Sequence, residues 1–187
     1  MTEARPTERE RWDARYASEA PDAERAPEPR VTEALSRLVP APRSAFDLAA
    51  GSGRHSLWLA ARGVRVEAWD LSPVGLGLLA QRAAARGLEV GTRVLDLSQE
   101  LPEVPPRDLV LVVDYLDPAL HGRLHALLAP GGVALVCTFT DDLPGPHPSR
   151  RFRLRRGELR SLPRLTTERL EEREGRALLL ARRGTEP

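Results

Sequence analysis

Lysine, asparagine and isoleucine are absent from this 187-residue chain, so all 28 basic side chains are arginine. The three missing residues share AT-rich codons. The arginine excess therefore reads first as the codon bias of a GC-rich genome. Against 27 acidic residues it leaves a formal charge of +1, which gives no global pull towards nucleic acid or an acidic membrane. A single cysteine, Cys137, excludes an internal disulfide and a cysteine-type metal site. Long apolar runs are also missing. Stretches such as Leu109 to Val113 are too short to span a bilayer, and the first twenty residues are too charged for a signal peptide. These absences lead us to expect a cytoplasmic protein with no nucleic-acid partner and no membrane partner, and we expect a monomer or homodimer.

What is present is an alternation of strand and helix patterns. "TERERWDARYASEA" places Trp12 and Tyr16 four apart on one helical face. "PDAERAPEPR" reads as a loop, and "VTEALSRLV" has helical spacing. From Ser44 the pattern becomes "SAFDLAA" (strand), "RHSLWLAARG" (helix), "VRVEAWD" (strand) and "SPVGLGLLAQRAAARG" (helix with Ser72 as N-cap). "EVGTRVLD", "RDLVLVVD" and "VALVCTFT" follow as strands, with a long helix "DPALHGRLHALLAPGG" before the last. In the tail "RRGELRSL" reads as a short helix, and two strand-like runs meet tightly at Gly175, so they must be antiparallel. The expected fold is α/β, a doubly wound, mostly parallel seven-stranded sheet with an antiparallel last strand. Residues 1–43 are expected to form a helical cap and 44–187 the ligand-binding part of a single domain.

The turn "DLAAGSGRH" follows the first strand. In an open parallel sheet, ligands sit outside the carboxyl ends of the strands. Glycines there let backbone approach a ligand. Alone, Gly51 and Gly53 are equally well a plain tight turn. Asp70, ending the second strand, adds a carboxylate where the hydroxyls of an adenosine ribose are commonly taken. The dinucleotide fingerprint G-x-G-x-x-G fails at its third position, where Ser56 stands. S-adenosylmethionine is the competing ligand.

At these residues the chain resembles the class I S-adenosylmethionine-dependent methyltransferases. "DLAAGSG" is similar to their D-x-G-x-G-x-G, with Asp47, Gly51 and Gly53 matching and Ala49 in place of the first glycine. "VEAWDLSP" is similar to the second strand, whose acid contacts the ribose, here Asp70 followed by Leu71. "LDLS" matches the segment that meets adenine, with Asp96 towards the amine and Leu97 towards the ring face. "LAPGGVALV" and the final hairpin fit as well. Within this family the chain resembles the small tellurite-resistance-type enzymes, through "WDARY", "GRHSLWLA" and "TFTDDLPGPHPSRRFRLRRGEL". The resemblance implies S-adenosylmethionine as cofactor. It implies contacts from Trp12, Tyr16, Asp47, Ala49, Gly51, Gly53, Arg54, His55, Asp70, Leu71, Asp96, Leu97 and Asp114.

Beside these, Asp114 and Tyr115 end the fourth strand and are candidate catalytic residues, although a plain strand end is the simpler reading of Asp114. Trp12 and Tyr16 form either a lid over the cofactor or a packing face. His55 reads also as a polar residue of a first helical turn. His147, Arg150 and Arg151 lie in a proline-restricted loop after the fifth strand, which reads first as an exposed arginine-rich surface, then as a site for an anionic acceptor and last as one for nucleic acid. His121 and His125 are spaced for a metal, but no third ligand accompanies them, so a solvated face is the simpler reading. Three functions stay open. The first is methyl transfer to a small molecule such as a thiol or chalcogen oxyanion. The second is a catalytically silent S-adenosylmethionine-binding module, and the third a nicotinamide-dependent oxidoreductase.

Overall fold

The computed structural model describes residues 6–20, 25–146 and 148–185. Two helices, α1 (Glu8–Ala17) and α2 (Pro29–Ser36), precede the sheet. Then come β1 (Ser44–Leu48), α3 (Arg54–Ala60), β2 (Arg65–Asp70), α4 (Pro73–Ala84), β3 (Val90–Val94) and β4 (Arg107–Val113). The remainder is α5 (Pro118–His121), β5 (Leu128–Thr140), β6 (Arg153–Leu154), β7 (Thr166–Arg173) and β8 (Arg176–Arg182). The strand order is β3-β2-β1-β4-β5-β8-β7, with β6 pairing only with the end of β5. β1 to β5 are parallel, while β8 runs antiparallel to both β5 and β7. The expected seven-stranded sheet is thus present, with the two-residue β6 as an addition.

Each element follows from its local chemistry. Thr7 closes a capping box with Glu10 at the start of α1. Ser72 caps α4 by accepting from the Gly75 N–H, with Pro73 at the first helical position. β4 alternates Leu109, Leu111 and Val113 onto one core face and Val110 and Val112 onto the other. A strand buried on both sides needs such a continuous apolar run. Glu174 and Gly175 take φ of 51° and 74° between β7 and β8. Two successive left-handed residues form the tight turn that matches the twist of a hairpin.

Two expected elements are corrected. The long helix over 117–132 is instead the one-turn α5, a three-ten turn over Leu124–Leu127, and the beginning of β5. Gly122 ends α5 after one turn, and residues from Leu128 pair with β4 rather than wind on. The short helix expected over 155–162 does not form. Gly157 takes φ +78°, and its N–H bonds both carboxylate oxygens of Glu172 on β7. Leu159 and Leu162 still reach the core, from an irregular segment.

The chain winds outward through β1, β2 and β3, then crosses to β4. The switch point therefore lies between β1 and β4, and the crevice for a ligand opens at their carboxyl ends.

Candidate cofactor and acceptor site

The turn after β1 is set by backbone conformation. Ala49, Gly51 and Gly53 all have positive φ, at 56°, 57° and 83°. The two glycines serve different neighbours. A Cβ on Gly53 would lie 2.1 Å from Leu79 Cδ1 of α4, so this position allows α3 and α4 to pack closely. A Cβ on Gly51 would lie 2.3 Å from the Tyr16 hydroxyl, and one on Gly75 would lie 2.8 Å from Tyr16 Cδ2. Gly51 and Gly75 thus leave a slot that takes the Tyr16 ring.

Tyr16 brings α1 with it. The Trp12 and Tyr16 rings stack at 5.9 Å. Arg9 Nε donates to the Leu71 carbonyl at 3.2 Å, and the Ser72 hydroxyl donates to Asp13. α1 therefore lies across the turns that follow β1 and β2. Burial, and secondarily the nearby Asp70 charge, hold the Tyr16 phenol well above its ordinary pKa.

Asp70 is 7% exposed at the end of β2. One oxygen accepts from the Gly51 N–H and the other from the Ser72 N–H, both at 2.8 Å. Burial raises its pKa, and those backbone donors oppose the rise. A carboxylate has about four acceptor positions, so two remain for hydroxyl donors. Asp47, by contrast, is turned under the glycine turn. It accepts from Ser56 Oγ at 2.6 Å and ties α3 to β1. Burial lifts its carboxyl to about 7, against the pull of Ser56. Asp96 stands just past β3, half-buried. Its Oδ1 takes the Ser98 hydroxyl at 2.7 Å and the Ser98 N–H at 3.0 Å, which lower its pKa. Leu97 packs into the core at 4% exposure.

Past β4, Asp114 takes φ +60° and sits between two guanidinium groups. Arg54 Nη2 donates to Oδ2 and Arg176 Nη1 to Oδ1, each at 2.6 Å. Arg176 Nε also pairs with Glu28 at 3.2 Å, and its guanidinium lies 4.1 Å from the Phe139 ring. His55 is buried beside this network, and its Nε2 accepts from the Glu28 N–H at 3.1 Å. Burial, then Arg54, Arg176 and Arg25, push His55 down to about 3. Tyr115 is half-buried against the core, its phenol raised to about 12 chiefly by burial.

On the acceptor side, His147 and the side chain of Arg151 lie outside the described residues. Arg150 is exposed and opens a three-ten turn, Arg150–Phe152. The arginine that organises this loop is Arg153, which sequence reasoning passed over. It donates to the carbonyls of Leu143 and Gly145 at 2.6 Å and of Pro148 at 2.8 Å.

The histidine pair separates. His121 is buried rather than solvated, and its Nε2 has no partner among the described residues. His125 bonds the Gly122 carbonyl and Arg164. Among the described residues no group of three or more metal-type ligands assembles, and no helix is long and apolar enough to cross a membrane.

Sequence reasoning also missed Ser56 as the partner of Asp47, and Arg176 as the second clamp on Asp114. Ser56 was visible as the residue replacing a third glycine. Arg176 carried no signal, since every basic residue of the chain is arginine.

Comparison with known proteins agrees with this architecture. Residues 45–132 match the family model described as a methyltransferase domain. A ubiquinone biosynthesis O-methyltransferase of Caulobacter sp. (strain K31) is 36% identical over 104 residues, which is 52% of this chain and 41% of that protein. The alignment thus spans well under half of that relative. Among solved structures, one from work on conversion of a disulfide bond into a thioacetal group during echinomycin biosynthesis superposes with a TM-score of 0.75. It is 23% identical and covers 96% of this chain and 93% of that one. TehB from Haemophilus influenzae gives 0.73 at 22% identity, covering 87% and 64%. These two likenesses concern the fold. The turn after β1, the buried Asp70 carboxylate with acceptor positions to spare and the matched model agree: residues 45–132 are a methyltransferase domain, with S-adenosylmethionine as its cofactor.

Proposed function

We propose that this chain transfers the methyl group of S-adenosylmethionine to a small molecule, a thiol or a chalcogen oxyanion. The observation that carries the reading is Asp70. It is buried at the carboxyl end of β2, anchored to the turn after β1 through the Gly51 N–H, and retains acceptor positions for a ribose. Asp96 stands at the neighbouring strand end, in place for the adenine amine. Trp12 and Tyr16 on α1, within the 1–43 cap, roof the turn, and the carboxyl end of β4 with Tyr115 faces the reacting end. The loop carrying His147, Arg150 and Arg151 leaves the sheet at the same edge and suits an anionic acceptor.

The cofactor supplies a methyl group on a good leaving group, so the protein's work is alignment and exclusion of water. Alignment alone can supply roughly 7–11 kcal/mol. Ser56 is engaged with Asp47 and leaves no third glycine, which disfavours a nicotinamide cofactor. Calorimetry with S-adenosylmethionine and with a nicotinamide dinucleotide tests the cofactor, and binding of the dinucleotide alone would overturn the reading. A screen of thiols, selenite, tellurite and small amines for release of the demethylated cofactor tests the transfer. Cofactor binding without turnover of any acceptor would favour a silent binding module.

A further inference from the structure

We infer that Arg123 is a positioning residue for the adenine of the cofactor: it fixes the peptide group that aims the Asp96 carboxylate. The inference rests on the reading that Asp96 meets the adenine amine, and it deepens that reading.

The turn after β3 carries it. Residues 96–99 close on themselves, with the Gln99 N–H donating to the Asp96 carbonyl at 3.1 Å. Inside the turn, Asp96 Oδ1 accepts from the Ser98 N–H at 3.0 Å and from the Ser98 hydroxyl at 2.7 Å. Its Oδ2 has no partner among the described residues, which leaves it for an N–H donor. The Ser98 bonds hold the Asp96 carboxyl below its ordinary pKa, so the group stays an acceptor.

The Leu97 carbonyl and the Ser98 N–H belong to one peptide unit, which is planar and stiff. Its N–H holds Asp96, and its carbonyl accepts from Arg123 Nη2 at 2.8 Å. Arg123 Nη1 also donates to the Gln99 carbonyl, and Nε donates to the Ala119 carbonyl of α5 at 3.2 Å. One flat guanidinium therefore joins α5 to two carbonyls of the turn. Its N–H donors form a rigid fork, whereas a lysine ammonium is a point charge on a flexible stem and cannot replace that fork. Rotating the peptide between Leu97 and Ser98 would break the Arg123 bond and the Ser98–Asp96 bond together. Fixing the peptide fixes the direction of Oδ2.

Adenine presents an amine at C6, a donor that a carboxylate accepts. Hypoxanthine presents a carbonyl there, which a carboxylate repels. Preference for the first base over the second thus reports how Asp96 is aimed. A general loosening of the fold would weaken both ligands alike.

The test is calorimetry with S-adenosylhomocysteine and S-inosylhomocysteine, which differ only in the C6 group and the N1 proton that accompanies it. The unmutated protein should prefer the adenosyl compound, and Asp96→Ala should remove most of that preference. Arg123→Ala should lower the preference by roughly three- to tenfold. Arg123→Lys, which keeps the charge and loses the fork, should lower it nearly as far. In the Asp96→Ala background, Arg123→Ala should change the preference no further. Equal loss of affinity for both compounds in the two Arg123 variants would overturn the inference and leave the arginine a purely structural role. A preference that falls just as far once Asp96 is gone would overturn it as well. If Asp96→Ala leaves the preference intact, the adenine placement fails and this inference with it, while tight binding of S-adenosylhomocysteine still upholds the cofactor.

Discussion

Asp47 and His55 flank the glycine turn, both are buried, and burial disfavours the charged form of each. Their effects on stability run in opposite directions. The folded Asp47 carboxyl titrates near 7, above its unfolded value, so the native state holds the extra proton at low pH. Its contribution is complete below about pH 4 and is lost as pH rises through about 7. The folded His55 titrates near 3, below its unfolded value, so there the unfolded state binds the extra proton. Stability from His55 is present above about pH 6.5 and is lost as pH falls towards 3. Asp47→Asn should therefore remove the loss between about pH 4 and 7 and leave the one at lower pH due to His55, with a gain on the order of a few kcal/mol at pH 8. His55→Gln, which can still accept the Glu28 N–H, should remove the acid decline only. Urea denaturation followed by circular dichroism across this range checks both. Ala49 offers a simpler case. At φ +56° a Cβ costs about 1–2 kcal/mol, and a glycine's unfolded-state entropy returns about 0.4–1. Ala49→Gly should be neutral or stabilising by up to about 1.6 kcal/mol, the reverse of the usual sign.

Among the α-helices, α1 stands apart because it has no buried residue. It is held by Tyr16 in its slot, by Asp13 on Ser72 and by Arg9 on Leu71. Such an element opens at lower free energy than the sheet it covers. Asp13→Ala should speed amide exchange in α1 alone, by the factor that corresponds to about 0.5–1.5 kcal/mol. The two glycines of the turn should also part company. Gly53→Ala drives a Cβ into Leu79 at the α3–α4 contact and should lower global stability by roughly 1–3 kcal/mol. Gly51→Ala drives its Cβ into Tyr16, and its main effect should be to displace α1. A Tyr16→Ala background should relieve part of that defect, leaving the strain of its positive φ, and should do nothing for Gly53→Ala. Thermal melts of the four variants decide it.

Across the whole molecule, Asp114 joins parts far apart in sequence. Arg54 follows the glycine turn, Arg176 begins β8, and Glu28 leads into α2. The side chains of the pair are 12% and 22% exposed for Arg176 and Asp114, between the fully buried and the surface case. Removing one partner should therefore cost about 1–3 kcal/mol, less than a deeply buried pair. Arg176→Gln should lose that amount and loosen the α2 entry, read as faster exchange at the Glu28 amide. Arg150→Ala, on the exposed loop, should leave the melting temperature within about 1 °C. If its guanidinium meets the acceptor, the Michaelis constant for an anionic acceptor should rise while affinity for S-adenosylmethionine stays the same.

The sheet, its order of elements and the hairpin were legible in the residues because they rest on local physics. A short β-branched run such as Leu109 to Val113 reads as a strand buried on both faces, and Glu174–Gly175 has the chemistry of a hairpin turn. The positions of Gly51, Gly53, Asp70 and Asp96 at strand ends followed from the same spacing. The sequence also marked 117–132 as helical, because its leucines repeat with helical period. Only the pairing of Leu128 and its successors with β4 decided otherwise. Tertiary structure alone decided that Gly53 faces Leu79 while Gly51 faces Tyr16, that Asp47 is spent on Ser56, and that Asp114 is clamped by Arg54 and Arg176. The reason is physical. Periodicity and capping are set by residues a few positions apart, whereas a charge partner is chosen by the three-dimensional path of the chain, and here 28 chemically identical arginines leave that choice unmarked in the sequence.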